Sequence, residues 1–247
     1  MRVIGVIPAR MGSSRFPGKP LAVLHGRPMV EHVHRNAAAC PALDTVLIAT
    51  CDREIADAAH AFGARVAMTS PDHERASDRV AEAAAGDGAD IVVMIQGDEP
   101  MVTPAMIEAA VAPLRRDPAI GCTNLVAPIR TPEAFADPNT IKVVTAPDGR
   151  ILYFSRAAIP CPRPGFAAPA PPLKQVCVIP FRRQALATFC TLPAGRLETA
   201  ESIDMLRFLE HGFDVHAVPT DVDTQAVDTA EDLAVVATRL HPEARRA

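Results

Sequence analysis

Val3-Ile4-Gly5-Val6-Ile7, running directly into Pro8-Ala9-Arg10-Met11-Gly12-Ser13-Ser14-Arg15-Phe16-Pro17-Gly18-Lys19-Pro20-Leu21, is the stretch that decides the fold. A short apolar, β-branched run predicts a core strand, and the turn after it gathers three cations, two glycines and two serines. Such a turn suits a triphosphate. Backbone N–H groups at Gly12 and the serines can approach oxygens without a Cβ in the way, while Arg10, Arg15 and Lys19 supply charge. A solvated basic loop has the same composition, so the turn alone leaves both readings open. It is not a Walker A loop: five residues separate Gly12 from Gly18, and Pro20 stands where a magnesium-holding hydroxyl belongs. Nor does it match the dinucleotide fingerprint Gly-x-Gly-x-x-Gly.

Working outward, Thr45 to Ala49, Arg65 to Met68 and Ile91 to Ile95 repeat the strand pattern, with helical spacing between them. Met29, Val33 and Ala37 share one helical face. Ile107, Val111 and Leu114 share another, after the N-cap pair Thr103-Pro104. A late helix starts at Thr229, with Glu231 and Asp232 in its first turn and Leu233, Val236 and Leu240 as its buried stripe. This alternation predicts an α/β fold with a mostly parallel central sheet flanked by helices. Ile159 to Pro172 is too rich in proline for helix or central strand and reads as a loop over a site; Arg245-Arg246 reads as a frayed tail.

The chain has 247 residues, 49% of them hydrophobic, enough for one substantial core, and is read as a single domain over 1–247. A formal charge of -4 gives no general attraction for nucleic acid or an anionic membrane, and no apolar run approaches the roughly 20 residues of a membrane span. The start lacks a signal-peptide cleavage site, and six dispersed cysteines read as reduced, mostly core, side chains, so a cytoplasmic protein is expected. Eight scattered histidines argue against a histidine metal site.

Gln96-Gly97-Asp98-Glu99-Pro100 follows the apolar run at 91–95, which places Asp98 at the carboxyl edge of a central strand, where open α/β sheets bind ligands. Asp228 lies just outside the last helix. Two carboxylates, completed by phosphate oxygens and water, are what Mg2+ requires, although two acidic turn residues look alike in sequence. Asp221-Val222-Asp223 fits the minimal Asp-x-Asp metal pattern of sugar-nucleotide-dependent glycosyltransferases, after a strand expected at Val215 to Val218.

Taken together, these segments resemble the 3-deoxy-manno-octulosonate (Kdo) cytidylyltransferases. The likeness also takes in Asp72-His73 leading to Ser77-Asp78-Arg79-Val80-Ala81-Glu82, Asp137-Pro138-Asn139-Thr140-Ile141-Lys142-Val143-Val144, Leu152-Tyr153-Phe154-Ser155-Arg156 and Val227-Asp228-Thr229. The resemblance implies a Rossmann-like nucleotide-diphospho-sugar transferase fold with a dimerisation arm, residues 145–215 forming the acceptor pocket and dimer contact of a homodimer. It implies that Ala9, Arg10, Arg15 and Lys19 hold CTP, that Ser77 and Arg79 help enclose it, and that Asp98 and Asp228 bind Mg2+. Lys19, Arg10 and Asp98 are then the catalytic residues, transferring CMP to the hydroxyl of an acidic sugar, with no dedicated general base. Gln96 and Arg156 match positions used on the sugar acid; Gln175, Glu198 and Asp204 fall in the same pocket. There the chain departs from the family: Gln175 and Ile179 stand where a histidine and a tyrosine are usual. The departure leaves a different acid, such as a modified ulosonate, a nonulosonate or a phosphonate, as the alternative acceptor.

Overall fold

The computed structural model describes residues 1–12, 15–161 and 171–240. The first half alternates strand and helix: β1 (Val3–Pro8), a small hairpin of β2 (Val23–Leu24) and β3 (Arg27–Pro28), α1 (Met29–Ala38), β4 (Thr45–Thr50), α2 (Arg53–Ala61), β5 (Arg65–Met68), α3 (Ala76–Ala84), β6 (Ile91–Ile95) and α4 (Pro104–Arg116). Then follow β7 (Thr123–Pro128), α5 (Pro132–Ala136), β8 (Lys142–Thr145), β9 (Ile151–Ser155), β10 (Leu173–Val176), β11 (Val178–Arg182), α6 (Arg183–Thr191), α7 (Arg196–Glu201), α8 (Leu206–Glu210), β12 (His216–Pro219) and α9 (Ala230–Arg239).

The first sheet has the order β11-β6-β1-β4-β5, parallel except for β11 at its edge. β1 and β6 are buried at every position, because helices cover both faces. Val3 and Ile7 pack with residues of α1, α2 and α4 on one side; Ile4 and Val6 pack with α3 and α6 on the other. The chain leaves β1 toward β4 and β5 on one side and returns to β6 on the other. That reversal opens a crevice beyond the carboxyl ends of β1 and β6, the place where open α/β sheets bind ligands.

The central sheet is mostly parallel as expected, while the second sheet, in the order β12-β7-β10-β8-β9, is mostly antiparallel. Only β12 and β7 run parallel; the other pairings are antiparallel. Residues 145–215 do not fold apart from the rest: β9 and β10 belong to this sheet and β11 to the first. Cys177 is the single residue between β10 and β11, and its carbonyl accepts from Gln96 N at 3.0 Å, tying the two sheets together beside the crevice. Ser13 and Ser14, most of the proline-rich loop and the Arg245-Arg246 tail lie outside the described residues.

Candidate active site

Three backbone turns bring the functional side chains to the crevice. After β1, Gly18 takes φ 72°, a left-handed conformation that favours glycine, and its N–H closes the turn on Met11 O at 3.1 Å. Met11 N donates in turn to Asp52 at 2.7 Å, fixing the turn to the start of α2. After β6, Gly97 passes so close to the first turn that a Cβ there would meet Pro8 O at 3.0 Å. Before α9, Val227 N donates to Asp98 O at 2.9 Å, which brings Asp228 alongside Asp98 despite 130 residues of separation (228 less 98).

Lys19 stands between these two carboxylates, its Nζ 2.7 Å from Asp98 and 3.3 Å from Asp228. Burial works against its charge, but the two carboxylates outweigh burial and raise its pKa. Arg15 adds a second cation, 3.0 Å from Asp228, and reaches Asn139 as well. Arg10 is exposed and has no protein partner among the described residues, leaving its guanidinium free for an anion. Asp228 is oriented from behind by Asp232, which accepts from Asp228 N at 3.0 Å, Thr229 N at 2.9 Å and Thr229 Oγ1 at 2.9 Å. Burial pushes the Asp232 pKa up, but these bonds and one from Gln225 more than offset it, holding the group below the usual range.

Two cavities meet here. The first, about 350 Å³, is lined by Ala9, Arg10, Gly12, Lys19, Arg75 and Arg79 among others. The second, about 640 Å³, is lined by Glu99, Asn139, Arg156, Lys174 and Gln175 among others. Arg15, Gln96, Asp98 and Asp228 line both. The site therefore has two compartments with the Lys19 cluster at their junction.

Several expected site residues take other places. Ser77 is fully buried and lines neither cavity; its hydroxyl donates to Asp204 at 2.9 Å. Arg79 reaches the first cavity but is held by Thr69 and the Ser70 carbonyl. Asp204 also lines the first cavity, not the second, and burial, only partly offset by Ser77 and Arg75, raises its pKa. Glu198 is 0% exposed and lines neither cavity. Its two oxygens accept from Arg207 at 2.7 and 2.8 Å, so it serves a buried ion pair rather than an acceptor. Ile179 packs in the core and also lines neither cavity, whereas Gln175 lines the second and donates to Asn124 at 2.6 Å.

Arg156 lines the second cavity as a clasp: Nε, Nη1 and Nη2 donate to the carbonyls of Glu201, Pro138 and Ser202 at 2.6, 3.0 and 3.3 Å. Two of its five N–H groups stay uncommitted to these carbonyls. Behind it, Lys142 is completely buried and donates to the carbonyls of Asp137 and Arg156 at 2.8 and 2.6 Å. Sequence reasoning assigned no role to Lys142, Asn139, Glu99 or Arg75. The first three stood inside quoted motifs, but nothing in a linear pattern says which side chains turn inward.

Among the described residues no group of three or more His, Cys, Asp or Glu is arranged to hold a metal on its own. Asp98 and Asp228 form a two-carboxylate oxygen set already bridged by Lys19, with Arg15 also on Asp228. Such a set fits a hard cation that keeps several waters and takes its remaining ligands from phosphate. Asp223 of the Asp-x-Asp triplet pairs instead with Arg239 at 3.1 Å and Lys174 at 3.6 Å.

The sequence model of the cytidylyltransferase family matches residues 4–217. The chain belongs to the cytidylyltransferase family. Among similar proteins, the 3-deoxy-manno-octulosonate cytidylyltransferase of Solibacter usitatus is 44% identical over 94% of this chain and 92% of its own length. That of Syntrophobacter fumaroxidans is 47% identical over 96% of each. A solved CMP:2-keto-3-deoxy-manno-octonic acid synthetase complexed with CTP superimposes with TM-score 0.90 at 38% identity, covering 98% of this chain and 100% of the other. A cytidylyltransferase from Leptospira borgpetersenii, 17% identical with TM-score 0.66, shares the fold. No described helix of this cytidylyltransferase is long and apolar enough to cross a membrane.

Proposed function

We propose that this cytidylyltransferase transfers CMP from CTP to a hydroxyl of Kdo, releasing pyrophosphate and forming CMP-Kdo. The observation that carries this reading is the pair of cavities meeting at Asp98 and Asp228, which Lys19 bridges, one lined by the basic turn after β1 and the other by side chains of both charges, among them Arg130, Arg156 and Lys174, cations suited to an acidic sugar. CTP occupies the first cavity, with Ala9, Arg10, Arg15, Lys19 and Arg79 around it. The acid occupies the second, near Gln96, Arg156 and Gln175, where the remaining N–H groups of Arg156 suit a carboxylate.

Within this arrangement the acceptor hydroxyl attacks the α-phosphorus as the bond to the β-phosphate oxygen breaks. Pyrophosphate departs with the displaced electron pair and the hydroxyl proton passes to water. Lys19 and Arg10 offset charge that builds on the phosphoryl oxygens, and the junction of the cavities holds nucleophile and phosphorus in reach. Asp98 and Asp228 would hold Mg2+, which when bound neutralises phosphate charge. Free thiols at all six cysteines agree with a cytoplasmic setting. We further take the chain as a homodimer built partly by residues 145–215, where Leu152 and Phe213 are 53% and 41% exposed; a monomeric mass by light scattering at micromolar concentration overturns that part.

The departure at Gln175 keeps a second acid in view, because an amide engaged with Asn124 offers a different hydrogen-bonding face from an imidazole. The test is pyrophosphate release from CTP and Mg2+ with Kdo beside a panel of other ulosonates, nonulosonates and phosphonates, with Asp98→Ala as control. Turnover with Kdo supports the reading. Turnover only with another acid moves the enzyme to that acid, and none with any acid overturns the transferase reading.

A further inference from the structure

Glu99 is 3% exposed, and its two carboxyl oxygens are in unequal circumstances. Oε1 accepts from Cys177 N at 3.1 Å, which pins the side chain to the link between β10 and β11. Oε2 has no partner, the only such buried side-chain nitrogen or oxygen among the described residues. Leaving a buried polar atom unmatched costs on the order of 1–3 kcal/mol, more for a charged group, so a folded protein rarely tolerates one without a use for it. Glu99 is one of the residues lining the second cavity, with Gln96, Asp98, Lys174 and Gln175. Its neighbours are directed elsewhere: Lys174 Nζ donates to Thr224 O at 2.5 Å and Gln175 Nε2 to Asn124, and neither is hydrogen-bonded to Glu99.

We infer that Glu99 is an acceptor-specificity residue whose unpartnered oxygen takes a hydrogen bond from one hydroxyl of the sugar acid in the second cavity. A hydroxyl is the group that fits, since it brings a donor to an oxygen that lacks one, and a sugar acid carries several. A site built around such a bond discriminates strongly against an analogue lacking that hydroxyl, because the oxygen is then orphaned again. The inference rests on reading the second cavity as the acceptor site.

The experiment measures acceptor KM for wild type, Glu99→Gln and Glu99→Met, using the acid that wild type turns over and analogues of it each lacking one hydroxyl. Wild-type turnover itself bears only on the proposed function. For Glu99, one analogue is expected to raise the wild-type acceptor KM by about ten-fold or more, while the same deletion costs Glu99→Met less than about two-fold. Glu99→Gln keeps a carbonyl for Cys177 N but replaces Oε2 with a donor, so its penalty falls at least about three-fold below wild type, and this pair decides the matter if Glu99→Met does not fold. The CTP KM stays within about two-fold throughout. Equal penalties in all enzymes, no single costly hydroxyl in wild type, or a parallel rise in the CTP KM each overturn the inference.

Discussion

Lys19 joins two carboxylates that the chain supplies from positions 98 and 228, and its raised pKa keeps it charged through the range in which enzymes work. Lys19→Met is expected to lower kcat by on the order of 10²–10³, the usual loss when one charge-stabilising donor is removed, in steady-state pyrophosphate release. A group with a raised folded pKa contributes stability that is fully present below its ordinary value, 10.5 for lysine, and lost as pH rises through the folded value. Ligand-free wild type and Lys19→Met should therefore differ by a constant margin in thermal denaturation from pH 6 to 9. A difference that shrinks within that window contradicts the ion-pair assignment. Glu198 tests the opposite kind of residue. Its hydrogen bonds are the leading cause of the raised Arg207 pKa, and Glu198→Gln should destabilise the protein by about 3 kcal/mol in urea denaturation while the acceptor KM stays unchanged. A selective rise in that KM returns Glu198 to the acceptor. The basic turn was legible because its charge is concentrated in sequence; Glu198 misled because burial and a partner nine residues away are invisible there.

Among the elements, those read best had strong local signals. Thr103 and Thr229 cap α4 and α9 as their sequences suggest, accepting from Met106 N at 3.3 Å and Asp232 N at 3.1 Å. Apart from β12, expected at Val215 to Val218, the second sheet was not legible, because β8 to β10 are short and pair antiparallel across a proline-rich interruption, so no period distinguishes them from loop. The cap of α9 does more than end a helix, since Asp232 also fixes the backbone of Asp228. Thr229→Ala should cost about 1 kcal/mol by urea denaturation and, if Asp228 holds Mg2+ as proposed, raise the Mg2+ concentration needed for half-maximal activity, because Asp228 loses part of its mount. The lowered Asp232 pKa gives the matching acid behaviour. Its contribution is present above the ordinary carboxylate value of 3.8 and lost as pH falls through the folded value, so Asp232→Asn should be less stable than wild type at pH 6 and converge on it toward pH 2. Parallel acid curves count against that role.

For the whole molecule, the two cavities share their junction with the turns after β1 and β6, beside the Gln96 N to Cys177 O hydrogen bond that joins the sheets. A ligand that binds only the folded state at 100 times its Kd adds about 2.7 kcal/mol. For a chain of this size that corresponds to a Tm increase of roughly 5–10 °C, read by differential scanning fluorimetry with CTP and Mg2+. Arg10 separates binding from stability. It is exposed and without a protein partner among the described residues, so Arg10→Ala should leave the ligand-free Tm within about 1 °C of wild type, as surface substitutions do. The same substitution should remove at least half of the CTP-dependent increase, because on the proposed reading this guanidinium contacts phosphate and not the fold. An undiminished increase in Arg10→Ala would move the triphosphate away from the turn at 8–19, and with it the assignment of the first cavity to the nucleotide.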